Sequence, residues 1–89
     1  MASLSKLFTP IKVGDIALKH RVVLAPLTRY RNTLEHVPTD LSVEYYSQRA
    51  STPGTLLITE ATAVAARAGG YENIPHLETA EQIAGWKKV

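Results

Sequence analysis

Cysteine is absent from this chain, which excludes disulfides, thiolate nucleophiles and cysteine-based zinc sites together. No stretch approaches the roughly 18 consecutive apolar residues that a membrane-spanning helix requires. Clustered charge is missing as well: 10 Lys+Arg stand against 8 Asp+Glu, a formal net charge of +2. The cations are scattered from Lys6 to Arg67, and only Lys87 and Lys88 are adjacent. A nucleic-acid surface gathers its cations and interleaves aromatics, so no nucleic-acid partner is expected. The opening Met1–Pro10 segment lacks the unbroken apolar core of a secretory leader, because Ser and Lys interrupt it. These absences point to a soluble, cytoplasmic protein with no membrane partner.

What is present is ordinary globular composition, 45% hydrophobic and 20% charged over 89 residues. That length supports a single domain over 1–89 and no second one. Residues 7–21 read as a hairpin cap. Pro10–Val13 and Ile16–Lys19 alternate apolar with polar residues around Gly14-Asp15, a hairpin turn signal. Val22–Ala25 comes next as a continuous apolar strand of the type covered on both faces. A polar loop over residues 30–40 leads to Thr39 or Asp40 as the cap of a helix over Leu41–Ala50. Its inward stripe is Val43, Tyr46 and Ala50. Pro53-Gly54 ends that helix. Thr55–Ala61 reads as a second buried strand, Ala68–His76 as a glycine-bearing loop, and Thr79 with Gln82 as a capping box. Ala80, Ile83 and Trp86 are the inward candidates of the last helix.

Hairpin followed by βαβα is the grammar of a parallel sheet covered by helices, hence an α/β fold. Two such strands make neither a closed barrel nor a self-sufficient sheet, and the last helix carries no Gly, Asn or Pro stop. The chain therefore reads as the front of something larger, although Lys87 and Lys88 also suit a natural helix end.

Three constellations carry candidate chemistry. Ala25-Pro26-Leu27-Thr28-Arg29 stops a strand at a proline, which frees the Thr28 hydroxyl and nearby backbone for a planar ligand over the strand ends. The bland alternative is a strand terminator with a polar loop residue. Glu60, ending the second strand, is a catalytic candidate by position. Equally, and preferably, it is a buried carboxylate paired with Arg29. Ala61 is small enough to let a flat ring approach the backbone. Gly69-Gly70-Tyr71-Glu72-Asn73 permits close ligand approach with Tyr71 stacking, or is a flexible loop with an anchoring aromatic. His20, His36 and His76 stand far apart in sequence with no i, i+4 pairing, so they read as loop or surface histidines and no metal site is expected.

Taken together, several segments in order resemble the opening of the old yellow enzymes. They are Leu7–Gly14, Leu18–Arg21, Ala25–Arg29, Val43–Ala50, Leu57–Ala61 and Ala68–Tyr71. The resemblance covers nearly the whole chain and looks closest to the fungal ene-reductase branch. It implies the N-terminal portion of a (β/α)8 TIM barrel: a hairpin cap over 7–21 and the first two βα units over 22–89. It also implies FMN at the C-terminal face of the barrel, with NADPH or NADH as reductant and an enone-type small molecule as substrate. Carried over by motif, Pro26 and Leu27 border the flavin, Thr28 hydrogen-bonds near its C4 carbonyl, and Ala61 sits beside it. Tyr30 and Tyr71 line the substrate mouth.

A (β/α)8 barrel takes about 250 residues, and the family's substrate-gripping, proton-donating and phosphate-binding residues all lie later. No catalytic residue is therefore assigned in this fragment, which is expected to be inactive alone. Two other readings stay open. One is a truncated paralogue serving as an interaction module by self-association; the other is one chain of a split barrel completed by a complementing chain.

Overall fold

A computed structural model describes residues 6–89. Part of the segment inspected above for a leader, Met1–Ser5, lies outside the described residues. A 3₁₀ turn, Lys6–Phe8, precedes the strands β1 (Ile11–Val13) and β2 (Ile16–Leu18). These pair antiparallel with Ile11 opposite Leu18 and Val13 opposite Ile16. Gly14 turns the chain at φ 59°, in the left-handed region that favours glycine. The hairpin expected around Gly14-Asp15 is therefore present, with its strands over Ile11–Leu18. The Lys19 N–H donates to the Gly54 carbonyl, which fastens the hairpin to the body of the chain, and the Arg21 N–H donates to the Leu7 carbonyl.

Strand β3 (Val23–Leu24) and strand β4 (Leu56–Leu57) pair in parallel, Val23 with Leu56 and Leu24 with Leu57. Helix α1 (Asp40–Arg49) forms the crossover between them. Both strands are shorter than the Val22–Ala25 and Thr55–Ala61 runs suggested. Nor are their faces fully covered: Val23 is 40% exposed, and Leu24, Leu56 and Leu57 are half-buried. An apolar run shows that a strand needs covering layers, but these residues do not supply them on both sides. The start of the pair is locked by His20. Its Nδ1 accepts from the Val22 N–H, so Nε2 carries the proton and donates to the Thr55 hydroxyl at 2.7 Å. Thr55 in turn donates to the Thr52 carbonyl.

Thr39 is the N-cap of α1, yet its hydroxyl donates to the Arg31 carbonyl and leaves the first turn uncapped by a side chain. The buried residues of the helix are Ser42 and Tyr46, whereas Val43 is half-buried and Ala50 exposed. Of the predicted stripe, Tyr46 alone reaches the interior.

Beyond β4, Ala63 bridges His76 in parallel and a 3₁₀ turn covers Ala66–Ala68. Helix α2 (Ala80–Lys88) opens on the predicted capping box: the Gln82 N–H donates to the Thr79 hydroxyl, and the Thr79 N–H donates to Gln82 Oε1. Its inward face differs from the expected one. Gln82 and Gly85 are buried, Ala80 and Ile83 are exposed, and Trp86 is half-buried. The helix docks on the loop before α1 rather than on a sheet. Gln82 Nε2 donates to the Glu35 carbonyl, and a Cβ on Gly85 would lie 3.0 Å from both Val37 and Pro38. A small residue at that position lets the helix approach the loop. Among the described residues, no helix is long and apolar enough to cross a membrane.

Candidate functional site

The site lies beyond the C-terminal ends of β3 and β4, where parallel pairing brings two irregular segments side by side. From the β3 side, Arg29 reaches Glu60 with two donors: Nε at 3.0 Å and one terminal nitrogen at 2.6 Å, both to Oε2. The Glu60 side chain is 1% exposed and that of Arg29 16%. A carboxylate so deeply buried is tolerable only when its charge is paired and its remaining lone pairs are bonded. Asn32 meets the second requirement by donating from Nδ2 to Glu60 Oε1 at 3.0 Å. The ion pair preferred from the sequence is thus formed.

Helix α1 contributes the aromatic backing. The Glu60 N–H donates to the Tyr46 hydroxyl at 3.0 Å, and the Arg29 guanidinium lies 3.7 Å over the Tyr45 ring. A flat, weakly hydrated cation against a ring face is favourable, more so when part-buried. Asn32 is also tied to the glycine-bearing loop. Its N–H and Nδ2 both donate to the Asn73 carbonyl, while Asn73 Nδ2 donates to the Asn32 carbonyl. Asn73 sits at φ 60°, a left-handed conformation that asparagine tolerates better than most residues. Asn32, Tyr46 and Asn73 were missed as site residues from the sequence. Only the position of Asn73 near two glycines gave a signal.

Around this buried hub lie the residues singled out for ligand binding. Pro26, Leu27 and Thr28 are exposed beyond β3, and Ala61 is exposed beyond β4. The hub brings Thr28 and Ala61 to one end of the pair, since their chain neighbours Arg29 and Glu60 are in direct contact. Tyr30 and Tyr71 meet edge to face, with ring centroids 6.0 Å apart at 83°. Tyr30 holds φ 56°, strained for an aromatic residue. An open cleft of about 390 Å³, within the usual range for ligand pockets, is lined by Ala61, Ala63, Val64, Gly70, Tyr71 and Ile74. Pro26, Leu27 and Thr28 do not line it. Gly70 holds φ 107°, a conformation that side-chain-bearing residues rarely adopt, and a Cβ there would also have to displace the tip of the Ile74 side chain.

The histidines depart from expectation. His36 and His76 are 40 residues apart in sequence but stack with ring centroids 3.7 Å apart and planes within 6°. The His76 N–H donates to the His36 carbonyl, and His36 Nδ1 donates to the Ile74 carbonyl. His76 is 3% exposed, so it is no surface histidine, and its Nε2 has no partner among the described residues. Burial, reinforced by neighbouring His36, lowers its pKa below 6.5, with Glu78 opposing. Spacing along the chain did not reveal this pair because loop contacts create it. Among the described residues, no cluster of three or more His, Asp or Glu is placed to hold a metal.

These residues fit a flavin by the chemistry of their surface. An exposed apolar pair (Pro26, Leu27) and a methyl (Ala61) suit a flat ring, and the Thr28 hydroxyl suits a polar edge. The sequence profile described as NADH:flavin oxidoreductase / NADH oxidase family matches residues 6–89. The chain is 57% identical over 86 residues to the NADP-dependent oxidoreductase lnbE of Aspergillus flavus. It is 56% identical over 86 residues to the chanoclavine-I aldehyde reductase fgaOx3 of Penicillium roqueforti. Each alignment covers 97% of this chain and 23% of the relative, so the chain spans about a quarter of their length. The structure superposes on the old yellow enzyme of Pichia sp. with a TM-score of 0.89 and 54% identity, covering 93% of this chain and 22% of that one. The chain belongs to the NADH:flavin oxidoreductase / NADH oxidase family, the family of the old yellow enzymes.

Proposed function

We propose that this chain forms the opening part of an FMN-dependent (β/α)8 barrel, with a hairpin cap over 7–21 and the first two βα units over 22–89. Within it, the chain supplies one edge of the flavin site. The observation that carries this reading is the Arg29–Glu60 bridge at 2.6 Å, which gathers exposed Thr28 and Ala61 at the C-terminal ends of two parallel strands. Barrels of this class place their chemistry at that end. The chemistry FMN supplies when bound is hydride transfer from NADPH or NADH to the β-carbon of an α,β-unsaturated carbonyl.

The residues of this chain bind and orient. Pro26, Leu27 and Ala61 offer apolar contact to the ring. Thr28 donates a hydrogen bond at its C4 carbonyl edge, which favours the electron-rich reduced form. Tyr30 and Tyr71 flank the mouth through which the enone enters. None of these groups grips the substrate oxygen or donates a proton, so the 89 residues alone are expected to hold FMN without turning over.

An FMN titration followed by fluorescence, run beside an enone-reduction assay with NADPH, tests this reading. Quenching without turnover is the expected result. Turnover by the purified chain overturns the inactivity, and absence of quenching removes the flavin edge. A second reading is favoured by the exposed apolar face along the strand pair, where Val23 (40%) and its flanking neighbours Val22 (50%) and Ile58 (43%) stand open. Such faces suit self-association or a complementing barrel chain. A monomer at all concentrations in sedimentation would exclude self-association.

A further inference from the structure

Glu60 is fixed at both carboxylate oxygens and at its own N–H. Its Oε2 takes both donors of Arg29, its Oε1 takes Asn32, and its own N–H is fixed by the Tyr46 hydroxyl. Buried ion pairs contribute little net stability compared with apolar packing, because desolvation offsets their attraction. What they do confer is direction, since a guanidinium fork and an amide fix the plane of the carboxylate. The donors that fix this one, Arg29 and Asn32, come from the β3 side, while Glu60 belongs to the β4 side. The residues next to the bridge, Thr28 and Ala61, are exposed where Arg29 and Glu60 are covered.

We propose that Glu60, through Arg29, is a positioning residue that sets the alignment of the Thr28 hydroxyl against Ala61 at the flavin edge. The proposal rests on the flavin-edge reading above. Its content is that Arg29 acts through Thr28, by geometry rather than by charge alone. Lysine at position 29 would keep the charge and lose the fork, so it should not substitute.

The test is a double-mutant cycle on the full chain with R29K, T28A and R29K/T28A. It reads FMN affinity by fluorescence and the midpoint potential of the bound flavin, with circular dichroism as the check on folding. R29K and T28A are each expected to weaken FMN binding about five- to tenfold, the scale of one lost hydrogen bond. Both should lower the potential, and the double variant should be no worse than the weaker-binding single. Residues that act as one unit are non-additive in this way. R29K within twofold of the unmodified chain, or losses that multiply in the double variant, overturns the proposal.

Should R29K unfold, the near-isosteric E60Q replaces it in the same cycle. Unfolding of both overturns the proposal in favour of a purely structural pair. Should the unmodified chain fail to bind FMN, the flavin-edge reading falls by itself, and amide hydrogen exchange decides the positioning role. Faster exchange in R29K confined to residues 26–30 and 59–62 supports it. Unchanged exchange, or acceleration across the whole chain, overturns it.

Discussion

Tyr46 couples helix α1 to the site through its hydroxyl, with its ring 5.3 Å from the Arg29 guanidinium. The residue is 4% exposed, and that hydroxyl accepts the N–H of Glu60. Tyr46→Phe keeps the ring and strands a buried N–H, which costs about 1–3 kcal/mol. A urea denaturation comparing the two chains should show a lower midpoint with an unchanged slope. An unchanged midpoint would mean that the N–H finds another acceptor. At this scale the sequence revealed pairs of opposite charge at neighbouring strand ends, so Arg29–Glu60 was legible. It did not reveal Asn32 with Asn73, 41 residues apart, because asparagine pairing depends on loop backbone geometry and leaves no periodic trace. The His36–His76 stack was hidden for the same reason.

Helix α2 separates what is local from what is not. Its capping box is written in four consecutive residues, Thr79 to Gln82, and forms as the sequence indicated. Thr79→Ala should cost about 1 kcal/mol, read as a lower thermal or urea midpoint, and Thr79→Ser should restore most of it. The inward face was misjudged because helical periodicity assumes an apolar partner. Here the partner is the loop at Val37–Pro38, which accepts Gly85 and a hydrogen-bonding Gln82. Gly85→Ala tests that docking. Alanine gains about 1 kcal/mol of helix propensity over glycine, whereas crowding a packed contact costs about 1–3 kcal/mol. The Cβ would stand 3.0 Å from Pro38 Cδ and 3.2 Å from the Pro38 carbonyl oxygen, a ring and a backbone atom that yield little. The crowding should win, leaving the variant less stable by about 1 kcal/mol. A more stable Gly85→Ala chain would show that the helix can slide off the loop without loss.

Across the whole molecule, element order was legible and burial was not. The hairpin, the parallel pair and both helices appear in the expected sequence, because turn residues and apolar periods are local signals. Burial depends on layers, and the radius of gyration, 15.5 Å, exceeds the about 12 Å of a compact chain this long. Contacts that tie the loop before α1 to the segment before α2 therefore matter out of proportion to their number, and the His36–His76 stack is one of them. Its dependence on acid has a definite sign. Burial first, and His36 second, depress the pKa of His76 in the folded chain below 6.5. Above pH 6.5 the ring is neutral folded and unfolded, and the stack is unaffected. As pH falls through 6.5 the unfolded chain takes up a proton that the folded chain resists, so stability declines until the folded-state pKa is passed. Glu78 moderates the decline by favouring the charged ring. Urea midpoints measured from pH 8 down to pH 5 should fall, and the slope should flatten in His76→Phe, which keeps an aromatic face for His36 and cannot be protonated. Phenylalanine also removes the buried Nε2 that finds no partner among the described residues, so the variant should lose little stability at pH 8. An equally steep decline in His76→Phe would move the acid sensitivity to another group.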